Sequence, residues 1–395
     1  MARIYEGLKV VDLSRVLAGP FCAQLLADMG ADVIKIESPE GDENRRWPPL
    51  MPNGISSNYA SVNRGKRALT LNMKSPRASE VFERLVRRAD VVLHSFLPAT
   101  AERLGISYER FHAINPRLVF CSITGYGERG ELANKPGYDL MVQAFAGPMS
   151  VTGYEEGPPV RTGVSFVDMA TGMSAYGAIA TALYARERTG RGNWVRASLL
   201  ETAVSILGYH GVAWLQAGVK PRKQGSGGAN QAPYQAFHCK DGFVLVGAPN
   251  NAAWQRLCTA LADEGLKSDS RFATNESRLR HRDDLVPLLE AHLKQHDAQH
   301  WVDLLEKHGV AVAPIQTLDR VLAHPQVLAN DMVVATHDAN GRAWQGIGTP
   351  FKVEDGGGVA TSTPPSLGEH SDQILRDDLG FSAEDIAALR REGAV

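Results

Sequence analysis

The chain reads as an α/β protein, with a large domain built on a parallel sheet and a smaller α+β domain after it. Three observations predict this. Short β-branched runs alternate with helical spacing through the N-terminal third, which implies parallel strands covered on both faces. The composition shifts at Gly225-Ser226-Gly227-Gly228, beyond which a hairpin pattern and three amphipathic stretches follow. At 395 residues the chain is also too long for one ordinary domain, by the loose measure of about 150 residues each.

Taken in order, Leu8-Lys9-Val10-Val11-Asp12-Leu13 is the first strand. Pro20 sits in a first helical turn, residues 21–29 continue with helical spacing, and Gly30 is the stop. Asp32-Val33-Ile34-Lys35-Ile36 is the second strand, and Ser75-Pro76 opens a helix through Val81, Leu85 and Val86. Val91-Val92-Leu93 and residues 117–124 are further strands. A long helix over 168–188 carries Ala170, Gly172, Ala175, Ala178 and Ala182, small residues that let another backbone come close. Gly190-Arg191-Gly192 ends it, and a second long helix starts near Leu199. Residues 234–239 and 243–247 flank a Lys240-Asp241-Gly242 turn as a hairpin, and helices follow near 251–261, 278–295 and 298–308. Asp338-Ala339-Asn340-Gly341 signals another hairpin, and Gly356-Gly357-Gly358 through Pro364-Pro365 reads as a tether to two terminal helices.

Charge and cysteine content exclude several classes. The 42 Lys and Arg against 44 Asp and Glu leave a net charge of −2, which argues against nucleic-acid binding by bulk charge. No apolar run approaches the roughly 20 residues of a membrane-spanning helix, and Met1-Ala2-Arg3-Ile4-Tyr5-Glu6 does not open a signal peptide. Cys22, Cys121, Cys239 and Cys258 are widely spaced. They fit a reducing, cytoplasmic location and neither a disulfide framework nor a zinc site.

Each chemical candidate has a plain structural alternative. Glu37 ends the first strand-helix-strand, where dinucleotide folds place a ribose-binding acid, but the turn Ser14-Arg15-Val16-Leu17-Ala18-Gly19-Pro20 lacks G-x-G-x-x-G and argues against NAD or FAD. His292, His296 and His300 are spaced to share one helix face, which reads as a solvated face because no carboxylate completes a zinc pattern. Ser165 lacks a nucleophile elbow, and Cys22 and Cys121 read as core. Asp168 lies where the long helix begins. It is read either as an N-cap or as a reactive carboxylate that the helix amides hold ionised.

Several stretches resemble the class III (CaiB/BaiF-type) CoA-transferase family. They are Arg15-Val16-Leu17-Ala18-Gly19-Pro20, residues 30–37, Ser61-Val62-Asn63-Arg64, Asp168-Met169-Ala170-Thr171-Gly172, Thr189-Gly190-Arg191-Gly192 and Leu367-Gly368-Glu369-His370. Ser122-Ile123-Thr124-Gly125-Tyr126-Gly127 and Pro233-Tyr234-Gln235-Ala236-Phe237 are most similar to the succinate–hydroxymethylglutarate branch, which handles dicarboxylic acids.

The resemblance implies a Rossmann-like large domain drawn from both termini and an interlocked homodimer. On that view the large domain covers 1–200 and 350–395, the small domain 225–330, with linkers over 201–224 and 331–349. Asp168 takes the family's nucleophile position, passing through an aspartyl anhydride and an aspartyl-CoA thioester, with no metal and no cofactor beyond coenzyme A as substrate. The CoA positions fall on Val16, Leu17, Leu71, Asn72, Met73, Lys74, Phe96, Arg103, Gly137 and Tyr138. Ser38 and Ser95 stand where the family often has Arg and Asn, which leaves Arg45 or Arg46 to hold the ribose phosphate. Gly225, Gly227 and Gly228 match the family's mobile glycine loop, or else form a plain linker. Arg64 is the candidate clamp for the acceptor's distal carboxylate, its alternative being a contact to CoA phosphate or solvent. The competing functions are an α-methylacyl-CoA racemase, which carries His-Asp where this chain has Tyr138-Asp139, and a CoA-binding protein without catalysis.

Overall fold

The computed structural model describes residues 3–51, 54–337, 341–359 and 362–395. The chain forms two compact units. One comprises Met1–Gly147, Thr162–Gly211 and Pro325–Val395, and the other Pro148–Arg161 and Val212–His324.

The larger unit is built on six strands: β1 (Lys9–Leu13), β2 (Asp32–Glu37), β3 (Lys66–Thr70), β4 (Val91–His94), β5 (Val119–Thr124) and β6 (Asn193–Ser198). They pair in the order β3-β2-β1-β4-β5-β6, every pair parallel. The order reverses between β1 and β4, and in such sheets ligands bind outside the carboxyl ends at that reversal. β4 and β5 are buried at every residue, which accounts for their apolar stretches Val91-Val92-Leu93 and Val119-Phe120-Cys121. The two-residue period of β1 sends Val10 and Val11 to opposite cores. Val11 joins Leu85 of the helix Ala78–Arg88 and, from the C-terminal segment, Ile374, Phe381 and Leu389. Val10 joins Cys22 and Leu26 of the first helix (Ala18–Asp28) and Ala175 and Ile179 of the long helix (Phe166–Thr189). Both cysteines read as core are buried, and burial pushes the Cys121 thiol up to about 12.

The small-residue stripe has a definite use. A Cβ on Gly172 would lie 2.6 Å from the Ala18 carbonyl oxygen, so only glycine lets the long helix come this close to the first helix.

The second unit carries an antiparallel sheet of β7 (Tyr234–Cys239), β8 (Gly242–Gly247) and β9 (Ala311–Pro314). Phe237, Val244 and Val246 pack there against Trp254, Leu289 and Trp301 of its helices.

Three expectations need correction. The spans 201–224 and 331–349, expected as linkers, carry regular structure: the helix expected near Leu199 runs as Leu199–Ile206 and is followed by Gly208–Ala217, and the expected second hairpin pairs Val333–His337 with Ala343–Ile347. The turn expected at Asp338-Ala339-Asn340-Gly341 falls largely on 338–340, which lie outside the described residues. The second unit also takes in Pro148–Arg161 and starts again at Val212 rather than 225. Finally, His292, His296 and His300 do not share a helix face. The helix Arg282–Leu293 ends after His292, and Asp297 caps a new helix by accepting from the His300 N–H at 2.9 Å. His292 instead meets Asp263 at 2.7 Å, and no cluster suited to a metal occurs among the described residues.

Candidate active site

The loops that leave the carboxyl ends of the six strands enclose two adjoining cavities in the larger unit. One, of about 290 Å³, is lined by Arg15–Gly19 after β1, Ser95–Leu97 after β4, Thr124 and Gly125 at the end of β5, Gly137, Tyr138, Leu199 and Asp168. The other, of about 440 Å³, is lined by Ser38 to Asp42 after β2, Leu71 to Lys74 after β3, and Leu104. Arg15 and Phe96 belong to both walls. The pair therefore forms a groove around the β1/β4 reversal, with Asp168 at one end and Lys74 at the other.

Asp168 is 8% exposed and occupies the third position of the long helix. It is not the N-cap. Ser165 precedes the helix and makes no side-chain cap. The cap comes from Asp139, whose Oδ2 accepts from the amides of Val167 at 2.9 Å and Asp168 at 3.1 Å. Gln143 holds the other Asp139 oxygen, and its own carbonyl accepts from the Thr162 amide at 3.1 Å. The helix amides are thus spent on Asp139 and do not hold the Asp168 side chain ionised. Burial first, and then the neighbouring Asp139 carboxylate, push the Asp168 carboxyl up to about 7. This reverses the expectation drawn from the helix dipole.

The floor of the groove is charged but internally paired. Asp12 binds Lys66 at 2.9 Å, and Asp42 binds Lys35 at 3.2 Å, all four fully or almost fully buried. Burial outweighs its partners at Lys66 and lowers it to about 8. At Asp12 the attraction of Lys66 and Lys35 prevails over burial and lowers the carboxyl. Gly19 closes the loop over this floor, since a Cβ there would lie 2.2 Å from that of Ser14.

The structure brings most of the expected residues together. Val16, Leu17, Gly137 and Tyr138 line the Asp168 cavity, Leu71, Asn72, Met73 and Lys74 the second, and Phe96 both. The Asn72 side chain itself donates to the Gly393 carbonyl at 3.0 Å. Arg103 ends its helix exposed and lines neither cavity. Arg45 does not replace the missing arginine at Ser38. Its guanidinium binds Glu37 at 2.6 and 2.7 Å and the Tyr59 hydroxyl at 2.5 Å, which also occupies the position of a ribose-binding acid. Arg46 donates to the Glu40 carbonyl at 3.1 Å.

Arg64 is a correction. It is 1% exposed and forks onto Asp28 at 2.6 and 3.0 Å while donating to the Ile347 carbonyl at 2.5 Å. A guanidinium buried in this way is a structural tie and offers nothing to a substrate carboxylate.

The glycine segment belongs to the second unit and is anchored there. Gly225 has φ +60° and its amide donates to Gly153. Arg282 donates at 2.5 Å to both the Gln224 side chain and the Gly228 carbonyl, and Gly227 turns back onto Gln224. Sequence reasoning missed Asp139 as the cap and Arg15 as a shared wall, and it marked Ser95 only as a departure from the family's Asn, whereas its hydroxyl accepts from the Arg15 amide at 2.9 Å. The available signal was position, because all three directly follow or flank a strand end or a helix start.

The model of CoA-transferase family III matches residues 5–371. An acyl-CoA transferase of Fusarium pseudograminearum is 40% identical over 98% of this chain and 88% of its own length. Human succinyl-CoA:glutarate CoA-transferase is 36% identical over 99% of this chain and 89% of its own. A crystal structure of a CAIB/BAIF family protein from Brucella suis superposes with a TM-score of 0.86 at 38% identity, covering 96% of this chain and 100% of that one.

Proposed function

The chain belongs to CoA-transferase family III and is an acyl-CoA:carboxylate CoA-transferase, and from that premise we propose that it moves CoA from succinyl-CoA to a dicarboxylic acid through covalent intermediates on Asp168. The observation that carries the reading is the buried Asp168 carboxyl at the head of a two-part groove, raised to about 7. A carboxylate of that basicity is a better nucleophile than an ordinary aspartate yet is substantially ionised at neutral pH.

In the proposed sequence Asp168 forms a C–O bond to the thioester carbonyl, the C–S bond breaks, and CoA leaves as thiolate. The thiolate attacks the aspartyl carbonyl of the resulting anhydride and expels the donor acid as carboxylate, leaving an aspartyl-CoA thioester. The acceptor carboxylate then attacks that thioester and releases thiolate, which takes the acyl group from the new anhydride and regenerates Asp168. Each step exchanges one carboxylate or thiolate for another, so no net proton is gained or lost. Asp139 keeps the long helix capped while Asp168 changes partners. The first-turn amides at Ala18 and Gly19, which lack helical acceptors, are the donors at the cavity wall for developing negative charge. Arg15 and Lys74 supply the cations suited to CoA phosphates.

The dicarboxylate preference rests on the subfamily motifs and on the name of the human relative, which pairs succinyl-CoA with glutarate. We further read the chain as an interlocked homodimer whose glycine segment shields the intermediates, and as cytoplasmic. No helix among the described residues is long and apolar enough to cross a membrane.

A panel of acceptors tests the reading. Succinyl-CoA and acetyl-CoA are each offered with glutarate, succinate, butyrate or no acid, and the CoA esters are separated chromatographically. The expected result is an acceptor-dependent new ester, fastest for succinyl-CoA with a dicarboxylate. Epimerisation of a 2-methylacyl-CoA without any acceptor would support the racemase instead.

A further inference from the structure

Among the non-glycine residues with positive φ that the structure describes, Val16 is the only one at the Asp168 cavity, at φ +69°. A β-branched side chain is poorly tolerated in that region, and such outliers persist only where the surroundings over-determine them. Here they do. The Val16 N–H donates to both oxygens of Asp42, at 3.2 and 3.3 Å. The Val16 carbonyl accepts from Asn44 Nδ2 at 2.7 Å. Behind this pair Lys35 ties Asp42 at 3.2 Å to the Ser14 carbonyl at 3.0 Å. Asp42, Asn44 and Lys35 are at most 1% exposed. The second polar atom of the Asn44 amide, Oδ1, is buried with no hydrogen-bond partner. The protein thus leaves a buried acceptor unsatisfied to keep an amide donor at this point, which is costly unless the donor matters.

We propose that Asn44, backed by Asp42 and Lys35, is a positioning residue for CoA transfer. By clasping Val16 it fixes the left-handed turn from which Arg15 reaches the wall shared by the two cavities and the first helix begins beside Asp168. The inference rests on the transferase reading and adds a requirement to it, namely that the turn be held rather than merely allowed. A glycine at position 16 would adopt the same φ without strain, but nothing intrinsic would confine it there. A clasped valine has one conformation, and a fixed approach of reacting groups is worth large rate factors. Asn44 lines neither cavity, so its effect is transmitted through Val16.

The test compares wild type, Asn44→Ala, Val16→Gly and the double variant. Asn44→Ala should lower kcat/KM for the acyl-CoA roughly tenfold, the scale of releasing one such backbone strain. Adding Val16→Gly to Asn44→Ala should recover at least half of that loss on a logarithmic scale, because glycine needs no clasp to enter the turn. A purely structural asparagine predicts no such recovery. Asn44→Ala within twofold of wild type, or a double variant no better than Asn44→Ala, overturns the proposal. Should Asn44→Ala fail to fold, Asn44→Asp, which keeps the shape and removes the donor, enters the same comparison. Wild-type turnover alone reports on the transferase reading. The same ratios are measured in parallel by calorimetric titration with acetyl-CoA, so the clasp is judged even where no acceptor supports turnover.

Discussion

Replacing Asp168 by asparagine should make the protein more stable at alkaline pH while removing transfer. The wild-type carboxyl stands at about 7 against 3.8 for an unperturbed aspartate, first because it is buried and then because Asp139 lies beside it. With its folded pKa above the unfolded one, the native state binds the extra proton between those values. Stability from this group is therefore fully present below about 3.8 and is lost as pH rises through about 7. The displacement corresponds to about 4 kcal/mol at most, and water in the open cavity reduces it to on the order of 2 kcal/mol. Asparagine matches the neutral carboxyl in shape and keeps the residue-168 amide that Asp139 caps. Urea unfolding of both proteins from pH 4 to 8.5 measures the difference. The variant should match wild type near pH 4 and exceed it by on the order of 2 kcal/mol at pH 8. A variant equally or less stable across the whole range would refute the claim that burial and Asp139 strain the ionised Asp168.

The same carboxyl should give kcat/KM for the acyl-CoA an acid limb near pH 7, measurable in a pH series with a fixed acceptor, and a limb near 4 would deny the shift. Arg64→Ala should destabilise the fold by about 3–5 kcal/mol, as breaking a buried ion pair does. In whatever fraction folds, it should leave the ratio of glutarate to butyrate turnover unchanged, and a selective loss of glutarate would restore the clamp. Gly172→Ala should cost about 1–3 kcal/mol and lower kcat, because its Cβ meets the Ala18 carbonyl. Gly177→Ala, where a Cβ meets nothing within 4 Å, is the control in thermal melts and should lose nothing.

The sheet was legible because its physics is local. Buried parallel strands are mostly apolar on both faces, and the short runs Val10-Val11, Val33-Ile34, Val91-Val92-Leu93 and Val119-Phe120-Cys121 mark β1, β2, β4 and β5, although Asp12 and Lys35 are charged and buried among them. β6 has no such run, since Asn193 and Arg196 are exposed and interrupt the pattern. The approach of the long helix to the first was readable in kind from its small residues, but the partner of Gly172 was not. Asp168 was found by position and misread in charge, because the residue that takes its helix amides lies 29 positions earlier in Asp139. Arg64 failed for the same reason. A turn-like stretch does not reveal whether its arginine faces solvent, and Asp28 is 36 residues away. The histidine series could have been broken correctly, since Asp297 three residues before His300 is an N-cap signal.

Whether Asp168 carries the acyl group and then CoA is read by incubating the enzyme with succinyl-CoA, quenching the covalent species with hydroxylamine and mapping the peptides by mass spectrometry. A hydroxamate should form on Asp168 only with the acyl-CoA present and should disappear in Asp168→Asn. Steady turnover with no modification at residue 168, or with the hydroxamate on another carboxylate, would contradict that role.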